Sequence, residues 1–169
     1  VFGEPAALKT AALLKAKRGE IEELICRTDG LARSLSNQPP PTVLCHSDLH
    51  AGNILIGSDD AFYIVDWDAP ILAPKERDLM YIGGGQGFLG STPQEEAACF
   101  YRGYGMTAVN EAAIAYYRYE RIIEDIAAFC EQLLLSEAGG SDREQSYDYL
   151  ASNFEAGGTL EIAYRFDKS

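Results

Sequence analysis

With 169 residues, of which 47% are hydrophobic and 24% charged, the chain has the apolar content of one folded domain and too little length for two comfortable ones. Its net charge of -12 argues against nucleic acid or an anionic membrane as partner, since phosphate binding relies on clustered Lys and Arg; it either favours a cationic partner or serves solubility alone. Cys26, Cys45, Cys99 and Cys130 lack the paired spacing of zinc or disulfide frameworks and are expected as buried reduced thiols. No apolar run approaches the ~20 residues of a membrane span, so a cytoplasmic protein is expected.

Residues 5 to about 36 are rich in Ala, Leu, Lys, Arg and Glu, with Leu13, Leu14, Ile21, Leu24, Ile25, Leu31 and Leu35 recurring at helical intervals. Two helices, or one long kinked one, would bury that stripe, with Gly30 as the expected end of the first and the run Pro39-Pro40-Pro41 as the stop. Thr42-Val43-Leu44-Cys45 is a short β-type run that feeds a polar loop over residues 46–53. Ile54-Leu55-Ile56 and Phe62-Tyr63-Ile64-Val65, separated by the turn residues Gly57-Ser58-Asp59-Asp60, predict a β-hairpin. Residues 69–74 are expected as a loop and residues 76–81 as a short helix, followed by a glycine-rich connection over residues 83–90. Thr92-Pro93-Gln94-Glu95 has the cap, proline and acid of a helix start, and that helix should run to about residue 104. Asn110 can open the longest helix, to about residue 136, with Ile122, Ile126, Cys130 and Leu133 on one stripe and Tyr119 and Ile123 beside it. Gly139-Gly140 would close it, and a last helix over 142–154 would precede a polar tail.

The chemistry concentrates in His46-Ser47-Asp48-Leu49-His50-Ala51-Gly52-Asn53. Phosphoryl transfer needs a carboxylate to orient the attacking hydroxyl and oxygen ligands for the magnesium that bridges the phosphates. Asp48 is the candidate base. Asn53 offers a neutral amide oxygen and Asp66 an anionic one, both hard ligands suited to Mg²⁺, and the hairpin returns Asp66 to the side of Asn53. His46 and His50 are expected to brace the loop through hydrogen bonds rather than bind a transition metal, because the segment is a loop and its neighbours favour a hard cation. Asp68 is a further candidate for metal or substrate contact, or for a backbone hydrogen bond. The string Gly85-Gln86-Gly87-Phe88-Leu89-Gly90 imitates a nucleotide loop but follows a helix instead of a strand, so a flexible connection is expected. Glu120, Glu124 and Glu131, with Asp125 nearby, form either a solvated face with pairs such as Arg121 with Asp125, or an acidic wall for a cationic substrate.

His46-x-Asp48-Leu49-His50-x-Gly52-Asn53, then Ile64-Val65-Asp66-Trp67, then Arg77-Asp78-Leu79 resemble the aminoglycoside phosphotransferases and their relatives among choline and homoserine kinases. Asp66-Trp67-Asp68, residues 76–79 and residues 116–126 look most like the spectinomycin (aminoglycoside 9-) phosphotransferase branch. The resemblance implies an α+β, mainly α fold, a protein kinase-like C-terminal lobe with a small β-hairpin, as a single domain over residues 1–169. It implies Asp48 as catalytic base, Asn53 and Asp66 as ligands of the nucleotide's magnesium ions, and Asp78 as a structural acid behind the catalytic loop. The cofactors would be ATP, or another nucleoside triphosphate, and Mg²⁺; the acceptor would be a hydroxyl of a small cationic molecule, an aminoglycoside or related amino alcohol.

Such an enzyme also needs an N-terminal β-lobe with a lysine for the phosphates and a cover for the adenine, and nothing before Thr42 offers either. The chain is therefore expected to be the C-terminal lobe of a longer enzyme, inactive by itself. The competing expectation is a non-catalytic kinase-like module that binds a cationic ligand or protein, and the presence of Asp48, Asn53 and Asp66 together argues against it.

Overall fold

The structure is a computed structural model and describes residues 3–84, 92–105, 107–136, 140 and 142–167. Helix α1 (Pro5–Ala16) starts under Glu4, whose carboxylate accepts from the N–H groups of Ala6 and Ala7. Helix α2 (Arg18–Asn37) follows after Lys17 alone, so the break expected at Gly30 falls thirteen residues earlier. Gly30 lies within α2 with open space around its Cα. An exposed helical glycine costs about 1 kcal/mol relative to alanine, less than the burial of Leu24 and Leu31 on the same helix returns.

Strand β1 (Val43–Cys45) pairs antiparallel with β4 (Ile71–Ala73), Val43 opposite Ala73 and Cys45 opposite Ile71. That second strand lies where a loop was expected: three residues between Pro70 and Pro74 are too few to display an alternation. A 3₁₀ turn (Ala51–Asn53) leads into β2 (Ile54–Ile56), which pairs with β3 (Phe62–Ile64), Ile54 facing Ile64. The turn between them closes with Gly57 N–H accepted by Ala61 O at 2.8 Å, and Asp60 adopts a left-handed φ of 60°.

Helix α3 (Glu76–Leu79) is short, and α4 (Pro93–Tyr104) carries the expected reciprocal cap between Thr92 and Glu95. The string over residues 85–90 lies outside the described residues, as does Gly139. Helix α5 (Glu111–Cys130), capped by Asn110, continues through a π-helical turn (Glu131–Leu135). Arg143, from α6 (Asp142–Ser152), donates to the carbonyls of Gln132 (2.8 Å), Leu133 (2.8 Å) and Ser136 (3.0 Å), which satisfies groups that such a turn releases, and its Nε pairs with Glu4 at 3.0 Å.

The segment expected as a polar tail instead forms α7 (Thr159–Phe166). Polar residues interspersed along it mask the apolar side, but Leu160, Ile162 and Ala163 are buried. Helix α5 is central: Tyr119, Ile122, Ile126 and, beyond it, Leu133 pack with Leu24 and Leu31 of α2, Leu150 of α6 and Leu160 of α7. Each such aliphatic side chain contributes roughly 1.5–3 kcal/mol on burial. Cys45 is buried and Cys130 half-buried, whereas Cys26 and Cys99 are exposed, contrary to expectation; α4, which carries Cys99, has no buried residue at all.

Candidate active site

The loop after β1 is held from below by one carboxylate. Asp78 Oδ2 accepts the His46 N–H at 2.9 Å and Oδ1 the Ser47 N–H at 2.8 Å. Ser47 needs that support, since it adopts a left-handed φ of 74° without being glycine; its hydroxyl also donates to Ala69 O at 2.7 Å. The buried His46 ring links the two halves of the site. Its Nε2 lies 2.8 Å from Val65 O and its Nδ1 3.3 Å from the Asp48 N–H, so the neutral tautomer protonated on Nε2 satisfies both. Trp67 packs against it with ring centroids 4.6 Å apart.

His50 caps the 3₁₀ turn, its Nδ1 accepting the Gly52 N–H at 3.0 Å. A Cβ at Gly52 would stand 2.8 Å from that ring, so the position admits no side chain while the cap is in place. Asn53 is buried and donates its amide N–H to Asp48 O at 2.9 Å, which leaves the amide oxygen as its acceptor group. Across the hairpin the Val65 N–H is accepted by Asn53 O at 3.0 Å, and Asp66 then leaves the strand with φ 65° and an exposed side chain. The hairpin thus brings Asp66 alongside Asn53.

Asp48 is half-buried, and its two oxygens differ. Oδ1 accepts a hydrogen bond from the Tyr81 hydroxyl and pairs with Arg121 Nη1 at 2.8 Å. Oδ2 lies 3.7 Å from His50 Nε2. Burial, then the bond to Asp48, pushes the Tyr81 hydroxyl well above its ordinary pKa, so it stays protonated and donates. Arg121 also meets Asp125, Nε to Oδ1 at 3.0 Å, and burial raises the Asp125 pKa against the opposing pull of Arg121. Sequence reasoning found the Arg121–Asp125 pair from its i,i+4 spacing but missed both partners of Asp48.

The remaining candidates lie elsewhere. Arg77, almost buried, binds Glu120 at 2.6 Å and lies 3.8 Å from Glu124, while Tyr116 donates to Glu120 at 2.7 Å. These two glutamates tie α3 to α5 through Arg77, and neither is an unpaired acid. Asp68 is exposed. No three His, Cys, Asp or Glu side chains gather into a metal cluster among the described residues.

The sequence pattern of the phosphotransferase enzyme family matches residues 3–83. A crystal structure of spectinomycin phosphotransferase in complex with ADP and spectinomycin superposes with a TM-score of 0.83 at 39% identity, covering 96% of this chain and 49% of that one. The AMP-bound complex of spectinomycin phosphotransferase superposes with a TM-score of 0.80, again at 39% identity, over 95% of this chain and 49% of that one. The chain is thus similar to the phosphotransferase enzyme family over residues 3–83 and to spectinomycin phosphotransferase over nearly its whole length. It spans about half the length of the solved phosphotransferases it matches, and its mainly helical fold corresponds to the C-terminal lobe of a kinase-like phosphotransferase. No curated protein sequence matches it.

The donor set suits the magnesium ion expected in a phosphotransferase of this fold. Asn53 has an amide N–H engaged and its oxygen remaining, and Asp66, next to the Val65 that bonds the Asn53 carbonyl, has an exposed side chain. Two hard oxygen ligands are what Mg²⁺ takes from a protein when phosphates and water complete its shell.

Proposed function

We propose that this chain is the catalytic lobe of an enzyme that transfers the γ-phosphate of ATP to a hydroxyl of a small cationic molecule, an aminoglycoside-type antibiotic or related amino alcohol. The observation that carries the proposal is the loop itself: an aspartate with one carboxylate oxygen clamped, an asparagine oriented by that aspartate's carbonyl, and a second aspartate delivered by the hairpin. Asp48 orients the acceptor hydroxyl and receives its proton as the oxygen–phosphorus bond forms and the bond to the departing ADP breaks. Asn53 and Asp66 would hold Mg²⁺, which when bound neutralises phosphate charge. Asp78, His46 and His50 keep these groups in register. The complexes of the similar enzyme with ADP, AMP and spectinomycin support both the nucleotide and the class of acceptor.

We further propose that residues 1–169 form one folding unit that works against a second lobe covering the nucleotide. The outward sides of the two small sheets support this: Leu44, Leu72, Ile56 and Phe62 are 66%, 76%, 66% and 73% exposed, an apolar area uncommon on a finished surface.

The metal assignment is tested by calorimetry of ATP binding to the intact enzyme with and without Mg²⁺. Asp66→Asn should weaken MgATP binding by about tenfold to a hundredfold, the size of a lost charged contact, while leaving the metal-free affinity unchanged. Equal affinities of wild type and variant in the presence of Mg²⁺ would remove Asp66 from the site.

A further inference from the structure

Building on the phosphotransfer reading above, we propose that Tyr81 and Arg121 are positioning residues that together occupy Oδ1 of Asp48 and so reserve Oδ2, on the His50 side, for the acceptor hydroxyl. A carboxylate oxygen has two lone pairs, and Oδ1 already meets two donors, the Tyr81 hydroxyl and Arg121 Nη1. Oδ2 lies 3.7 Å from His50 Nε2, beyond hydrogen-bond reach, on a side chain that is 34% exposed. The acceptor's proton therefore goes to Oδ2.

Free rotation would defeat that choice. The terminal torsion of an aspartate is broad and roughly two-fold, so an unclamped Asp48 would present either oxygen at a range of angles. The clamp comes from two directions and is itself held. Tyr81 follows α3 in a turn whose carbonyls at Met80 and Ile82 accept from buried Arg118, at 2.8 and 2.7 Å. Arg118 and Arg121 lie one turn apart on α5, so a single helix fixes the tyrosine's flanks and supplies the second donor. Asp125 holds Arg121 from its other side at 3.0 Å. Behind the three lies a cleft of about 80 Å³, lined by Tyr81, Arg121 and Asp125 among others, into which a released Arg121 could swing.

The test is steady-state kinetics of the intact enzyme with MgATP and spectinomycin, with thermal unfolding as a folding control. Arg121→Ala should lower kcat by about 100-fold, the effect of a misplacement near 1 Å, with the KM for ATP and for acceptor within about twofold of wild type. Tyr81→Phe, which keeps the ring and its packing, should lower kcat by about tenfold, the loss expected from removing one of two donors. Arg121→Lys restores a donor and should recover part of the loss. In an Asp48→Ala background neither change should lower the residual rate further, because both act through that carboxylate. If Arg121→Ala does not fold, Arg121→Lys and Tyr81→Phe carry the same test. Wild-type kcat in the folded variants, a raised acceptor KM with kcat unchanged, or a further loss in the Asp48→Ala background would each overturn the clamp while leaving the phosphotransfer reading intact. A wild-type enzyme that phosphorylates neither spectinomycin nor any member of an aminoglycoside and amino-alcohol panel would refute the reading and the clamp with it.

Discussion

Asp48→Asn in the intact enzyme should lower phosphate transfer by about 10²- to 10⁴-fold, the range expected when a general base is removed. The amide is nearly isosteric and keeps an oxygen toward Tyr81 and Arg121, so the loop should survive: its backbone partners, Asp78 to the N–H groups of His46 and Ser47 and Asn53 to Asp48 O, do not involve the carboxylate. Thermal unfolding and MgATP affinity should therefore stay close to wild type while turnover collapses. The pattern separates a base from a structural acid. A variant that retains wild-type turnover would show that the hydroxyl proton needs no acceptor at this position.

Asp78→Ala should act by the opposite route, through the fold of the loop. It leaves the N–H groups of His46 and Ser47 without partners in a buried setting, at about 1–3 kcal/mol each, and it frees a serine held at φ 74°. We expect a loss of about 4 kcal/mol in urea unfolding, the midrange sum of those two terms, together with at least a hundredfold loss of turnover as Asp48 moves by about 1 Å. Asp78→Asn keeps one acceptor oxygen and should lose roughly half as much stability. An Asp78→Ala enzyme with unchanged stability would mean that water or a rearranged backbone replaces the brace.

These two aspartates also mark how far the sequence could be followed. The Asp48-to-Asn53 spacing is local and so visible, and the hairpin that returns Asp66 is announced by a Gly-Ser-Asp-Asp turn between two apolar runs. Asp78 had no local signature and came only through resemblance, because its partners lie 31 and 32 residues earlier. Tyr81 and Arg121 reach Asp48 across 33 and 73 residues, and nothing in the spacing of a helix such as α5 says which loop its arginine will meet. Arg121 also carried a sufficient local explanation, its pair with Asp125, which concealed the long-range one. The same limit applied to β4 and α7. Both are short, and both are stabilised by pairing or burial against distant elements rather than by their own pattern.

The excess of acids over bases is compatible with a cationic acceptor, yet Glu120 and Glu124, the acids placed to form a wall, both face Arg77. An acid paired with an arginine, as Glu120 is with Arg77 at 2.6 Å and Asp125 with Arg121 at 3.0 Å, presents a reduced field to a ligand, so under the proposed function the exposed Asp66 and Asp68 are the acids that would attract a cation.

The central claim is that this loop supports transfer of phosphate to a hydroxyl, and the most direct measurement is mass spectrometry of the acceptor after incubation of the intact enzyme with MgATP and spectinomycin. The predicted result is a singly phosphorylated acceptor formed in equal amount to ADP and lost when Mg²⁺ is chelated. ADP released with inorganic phosphate while the acceptor panel stays unmodified would contradict it.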